Sequence, residues 1–243
     1  MTILVFIESA EGTIKKTSLE AVAYAAAMAG FWAVCRAADL PQRTWLAPLV
    51  FGNTGNLGLP LCLFAFGDAG LALGVVVFAV TAIGQFTVGI WIVSGGGRPS
   101  AALREPMVAA TLLGALMLWQ GWRLPPVAAD ALGLVGQMAI PLMLITLGVA
   151  VARLEPAEVG RTAWLSAAKT VGGAALGWGV AAAMGLDPTA AGVLILLMAT
   201  PVAVSSYLLA LKYEADAQAV AGLVVVSTTM SVATLPALLS MLV

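Results

Sequence analysis

Eight times along this chain a run of apolar residues approaches or reaches the length of a bilayer crossing, the fourth being short, and no segment of soluble-domain size separates the runs. A transmembrane helix needs roughly 20 predominantly apolar residues. The runs lie, within a few residues, at 19–35, 45–66, 69–93, 107–122, 128–151, 162–184, 189–211 and 218–243. Only 9% of residues are charged, against about 25% in soluble domains, and mean hydropathy is +1.03. These features predict an all-α polytopic membrane protein, with the lipid bilayer as its first partner.

The same composition excludes several functions. With 11 basic and 12 acidic residues scattered singly, there is no basic stripe for nucleic acid. The sequence contains no histidine, which removes Ser-His catalysis, haem and most zinc sites. Cys35 and Cys62 are far apart inside apolar runs and read as packing residues. No metal, cofactor or enzymatic activity is expected. An intramembrane hydrolase would have to pair a serine with Lys169, the one lysine inside a span.

Loop charge predicts orientation, because Lys and Arg are retained on the cytoplasmic side. One alternating set of loops holds Arg36, Arg43, Arg98, Arg104, Arg153, Arg161 and Lys212; the opposite set holds only Lys15, Lys16 and Arg123. Both termini of this chain are therefore expected away from the cytoplasm. Trp32, Trp45, Trp91, Trp122, Trp164 and Tyr213 lie near span ends, as in aromatic belts.

Two spans are interrupted. "FGNTGNLGLPL" at 51–61 places glycines, asparagines and Pro60 where a lipid-facing helix tolerates none, and "MATPVAVSS" at 198–206 does the same with Thr200, Pro201, Ser205 and Ser206. Backbone groups freed by such a break cost several kcal/mol each in hydrocarbon unless paired, so the breaks must be buried or line a wet cavity. They fall on the second and seventh spans, which cross in opposite directions, and matched interruptions of this kind mark an inverted repeat and its binding site. Thr200-Pro201 reads as N-cap and first residue of a new half-helix. Two half-helix N-termini, each carrying about half a positive charge, would hold an anion without a buried base.

The expected substrate-binding residues are Asn53, Thr54, Gly55, Asn56, Gly58, Pro60, Thr200, Pro201, Ser205 and Ser206. The asparagines either cap a half-helix or bind ligand. The serines either bind ligand or bond to carbonyls of the preceding turn. Gln85 and Gln137 read as amides joining helices. Lys169, about two turns into its span, either snorkels to the cytoplasmic face or belongs to the anion pathway. Pro141 reads as a kink.

The stretch "FGNTGNLGLPL", the C-terminal "ATPVAVSSYLLALKYEADAQAVAGLVVVSTTMSVATLPALL" and "MAIPLMLITLGVAVARL" resemble the auxin efflux carrier family, the PIN-like carriers with many bacterial members. The resemblance implies ten helices in two inverted five-helix repeats, broken helices crossing at the substrate site, and transport of organic anions. It implies a multi-pass protein of the bacterial inner membrane, and in carriers of this architecture the first two helices of each repeat form a scaffold and the other three move. On that count the chain divides into an N-terminal remnant (1–18), a three-span part of the first repeat (19–93), a cytoplasmic loop (94–106) and a five-span second repeat (107–243), with two helices missing in front. A homodimer through scaffold helices is a further expectation. Ser205 and Ser206 stand where many members carry amides.

The resulting expectation is a secondary transporter of a small organic anion, a carboxylate, working by alternating access. A sodium-coupled organic anion symporter of the bile-acid type is one alternative, disfavoured because no acid lies deep within a span to help bind sodium. A non-transporting membrane scaffold or partial carrier is another.

Overall fold

A computed structural model describes residues 10–96, 124–154 and 159–243, with isolated positions between 109 and 122. The expected span 107–122 and most of the loop before it lie outside the described residues, as do residues 1–9. The helices are α1 (Ala10–Ala37), α2 (Gln42–Val50), α3 (Leu59–Gly84), α4 (Ile90–Val93), α5 (Pro126–Ala152), α6 (Val159–Met184), α7 (Pro188–Met198), α8 (Val204–Lys212) and α9 (Ala217–Leu242), with π-helical turns at Thr54–Gly58 and Gln85–Gly89. Among the described residues the sole strand-like pairing is one antiparallel bridge, Gly52 to Val202. The protein is an all-α polytopic membrane protein.

The helix α3 is two arms and not a rod. Gly67 adopts φ 65°, a left-handed conformation that side chains disfavour. A methyl group on Gly74 would lie 3.1 Å from Cys62 Sγ and 3.3 Å from Leu59 Cδ2, although Leu59 and Gly74 would stand about 22 Å apart on a straight helix. The chain therefore reverses at Gly67, between the expected spans 45–66 and 69–93, and arms 59–66 and 68–84 pack antiparallel. Together with Pro126–Ala152 and Ala217–Leu242, the stretch Thr54–Val93 containing this hairpin is long and apolar enough to cross a membrane.

Helix α7 is the buried centre. Every residue from Gly192 to Ala203 is buried, and a helix apolar all round belongs in an interior. Two glycines of α6 let the backbones meet. A side chain on Gly173 would strike the Met198 carbonyl oxygen, and one on Gly177 would come within 2.9 Å of the Ile195 Cα. This small-xxx-small spacing is the usual means of close approach between membrane helices. By contrast α5 is exposed along almost its whole described length, with Leu147 as its buried exception, and runs helical through Pro141.

One end of the bundle is tied by Arg43. Its Nε donates to the Val93 carbonyl and a terminal nitrogen to the Tyr213 carbonyl, both at 3.0 Å. The guanidinium thus meets the C-terminal ends of α4 and α8, where a cation is favoured. It also brings together three of the loops that the charge count places on one side.

Two expectations need correction. Helix α1 starts at Ala10, nine residues before the expected span, so the helix extends through the polar stretch with Glu11, Lys15 and Lys16 that the span count places in a loop. Trp45 is only 2% exposed and sits in the core, because α2 is short and packed on most of its circumference; Trp32, Trp91, Trp122 and Trp164 face outward.

Candidate functional site at the crossing of two broken helices

The two interruptions meet. Helix α2 ends at Val50 and α7 at Met198, and the extended residues that follow pair side by side. The Asn53 N–H donates to the Pro201 carbonyl at 2.7 Å, and the Val202 N–H donates to Ser227 Oγ of α9 at 3.1 Å. Backbone groups that the breaks would otherwise leave bare are thereby paired inside protein. Gly52 permits the approach, since a side chain there would strike Thr200 Oγ1.

Past the bridge each chain starts a new half-helix toward a common space. The first begins with the π turn Thr54–Gly58, where the Gly58 N–H reaches back to the Asn53 carbonyl at 3.0 Å. Pro60, as second residue of α3, has no N–H to return to the Asn56 carbonyl, and the wider π turn accommodates this. The second begins at Val204. Neither N-cap, Asn53 nor Ala203, closes its helix with a side-chain hydrogen bond, so first-turn N–H groups stay open.

The space is a cavity of about 120 Å³. Its polar lining is Gly52 and Asn53 of the bridge, Thr54, Gly55 and Asn56 of one half-helix and Ser205 of the other, with Gln85 between. Phe78, Ala82 and Phe86 form an apolar wall. Gln85 Nε2 donates to Ser205 Oγ at 2.9 Å and to Ser206 Oγ at 3.3 Å, joining the 68–84 arm to α8 as expected of an intramembrane amide. Asn53 is 4% exposed, yet its Nδ2 has no hydrogen-bond partner. A buried donor left bare costs about 1–3 kcal/mol. Here it borders a cavity that a ligand oxygen could fill.

Of the expected site residues, the cavity unites Asn53, Thr54, Gly55, Asn56 and Ser205. Ser206 lies behind Ser205. Gly58 is a packing residue, since a side chain there would strike Leu197 Cδ2. The first break lies at 51–53 and not at Pro60, which is buried inside the following half-helix. Thr200 is not the N-cap of α8. Its hydroxyl donates backward to the Leu197 carbonyl at 2.6 Å and finishes α7, while 200–203 extend to make the bridge. Pro201 contributes its carbonyl to that bridge. Lys169 does not snorkel: it is 1% exposed, and a methyl group on Gly52 would lie 3.3 Å from its Nζ, so the amine sits at the crossing but outside the cavity lining. Gln137 is exposed on α5.

The sequence reading missed Ala203, Val204 and the apolar wall, whereas the glycines of the first break, Gly52 among them, read as allowing close crossing. Positions 78, 82 and 86 recur every four residues, one face of a helix. That stripe has the same composition as a lipid-facing one, so spacing alone does not mark it.

Helices that stop halfway, cross through paired backbone and reopen onto a polar cavity inside an apolar bundle define a multi-pass membrane protein with a candidate ligand site at its crossing. The family described as membrane transport protein matches residues 96–239, more than half of the chain. The chain belongs to that family, the auxin efflux carrier-like proteins its motifs resemble. It is also similar to an uncharacterized transporter of Methanocaldococcus jannaschii, 29% identical over 112 residues that make up 41% of this chain and 35% of that protein. The matched part is thus about a third of the length of that curated relative.

Proposed function

We propose that this protein is a secondary transporter of a small organic anion, a carboxylate, bound where the two half-helices open and carried by alternating access. The observation that carries the reading is the convergence of two uncapped half-helix N-termini and the bare Nδ2 of Asn53 on one cavity. Two helix N-termini at about half a charge each supply roughly one positive unit, and no Lys or Arg lines the cavity to add to it. Asn53, Asn56 and Ser205 provide directed polar groups, and Phe78, Ala82 and Phe86 accept an apolar body. Thr54 and Gly55 contribute backbone N–H groups at the head of the half-helix.

The proposal extends to the setting: an inverted repeat with its matched breaks at 51–53 and 199–203, a bacterial inner membrane, and both termini of this chain on the non-cytoplasmic side. Arg43, which gathers the loop ends at Val93 and Tyr213 to one side, supports the alternation of crossings.

Thermal-shift measurement on purified protein tests the anion site. Mono- and dicarboxylates should be compared with chloride and with the corresponding amides at equal ionic strength. A carboxylate at 100 times its Kd adds about 2.7 kcal/mol, or roughly 5–10 °C in Tm for a chain of this size. The expected result is a rise with at least one carboxylate and none with its amide, lost in Asn53→Ala. If no carboxylate raises Tm above chloride, the anion reading fails.

A further inference from the structure

Helix ends come in opposite signs, and the crossing sorts them. Thr54 and Val204, at the two N-termini, line the cavity; the C-termini of α2 and α7, at Val50 and Met198, come before the bridge on each chain segment and on the side away from its lining residues. Carbonyls of a helix's last turn have no further turn to receive and carry about half a negative charge at each end. In an apolar bundle that side calls for a cation.

Lys169 lies there. A methyl group on Gly52 would have Lys169 Nζ at 3.3 Å and the Thr200 carbonyl oxygen at 3.2 Å, so the amine and the exit of α7 flank the same glycine. Its placement is fixed by packing. Gly173 is held against the Met198 carbonyl and Gly177 against Ile195, and Lys169 is one turn further along the same face, beyond the end of α7. Thr162, Leu165 and Ser166 continue that buried face. Among the described residues, the helices packed around α6 offer it no carboxylate partner. Helices α2, α7 and α9 contain none, and Glu20 of α1 is about 16 Å along its helix from Phe31, the residue that touches Gly172.

We propose that the Lys169 ammonium is a built-in counter-cation of the crossing, occupying the place a bound monovalent cation would take between the C-terminal ends of α2 and α7, so that the carrier holds its broken helices together without sodium. This deepens the proposed carrier function, because it assigns the cation side of the same crossing, but its test needs no transported anion.

The test compares the Tm of the wild-type protein, Lys169→Ala and Lys169→Met without carboxylate, in sodium, methylammonium or choline chloride at equal ionic strength. Wild type should melt at the same temperature in all three salts. Both variants should fall by about 5 °C or more in choline. Sodium or methylammonium, small enough for the vacated space, should restore at least half of the loss in Lys169→Ala and none in Lys169→Met, whose side chain still fills it. The proposal is overturned if wild type is itself stabilised by sodium over choline, if Lys169→Met is as stable as wild type, or if Lys169→Ala is equally depressed in every salt. Should neither variant fold, the wild-type comparison still decides, since stabilisation by sodium would show that a cation site remains open. Carboxylate binding is measured separately, so loss of one reading leaves the other standing.

Discussion

Replacing Gly173 by alanine tests whether close backbone contact between α6 and α7 sets the position of the crossing. The new methyl would lie 2.8 Å from the Met198 carbonyl carbon and would strike its oxygen, whereas ordinary contact begins at 3.4 Å, so the backbones must part by at least 0.6 Å. Both neighbours are main chain and cannot swing aside. Overpacking of this kind costs about 1–3 kcal/mol, a fall of roughly 2–12 °C in Tm for a chain of this size. Gly179 on the same helix is the control, because nothing lies within 4 Å of its missing methyl. There the same substitution should stabilise by about 0.5–1 kcal/mol through helix propensity alone. The assay is detergent-solubilised Tm, followed by the carboxylate-induced shift, which should shrink in Gly173→Ala because Met198 immediately precedes the bridge and should be intact in Gly179→Ala. If Gly173→Ala is as stable as Gly179→Ala, α6 does not fix the end of α7 and the placement argument for Lys169 falls with it.

Asn53→Ala should leave stability unchanged or raise it by up to about 1–3 kcal/mol, because it removes a bare buried donor, while abolishing the carboxylate shift; a destabilised variant with normal binding would make Asn53 structural. Arg43→Gln removes the guanidinium bonds to the Val93 and Tyr213 carbonyls and should lower stability by about 1–2 kcal/mol, discounted for exposure, with anion affinity unchanged; urea titration in mild detergent reads it, and an unaltered midpoint would show that the tie contributes nothing. For orientation, with Cys35 and Cys62 removed, a cysteine at Gly96 should be protected from an impermeant thiol reagent in intact cells and one at Asp187 should react; the reverse labelling would invert the charge-based topology.

Hydropathy made the described apolar helices legible because each lipid-facing residue must be apolar whatever its neighbours are, so the signal is local. The turn at Gly67 was legible for the same reason, since a polar Gly-Asp pair ends one run and starts another. The existence of two breaks was legible too, but their register was not. Proline is the obvious helix breaker, yet Pro60 sits inside a half-helix whose π turn absorbs the missing N–H, while the chain leaves α2 at Phe51. The exit is set by pairing with Val202, a partner so distant in sequence that no local pattern records it. Thr200 shows the same effect. Its residue type suits a helix start, but the bridge draws 200–203 into extended form and leaves its hydroxyl to finish the preceding helix.

Lys169 is the case in which a mark was present and its meaning lay one step further. The cost of a charge in hydrocarbon tells how far a lysine must go to be satisfied but not in which direction, and depth within the span favours the headgroups. Direction comes from the residues that share its face. Gly173 and Gly177 follow at four-residue spacing, and glycines so spaced mark the side of a membrane helix that another backbone approaches. A lysine in register with them points into the bundle, and here it reaches Gly52 at the crossing, beside the exit of a helix that ends early. The broken helices and the buried lysine are therefore one feature of this sequence: the interruptions after Val50 and Met198 create the negative ends, and the glycine face of α6 brings the amine to their crossing at Gly52.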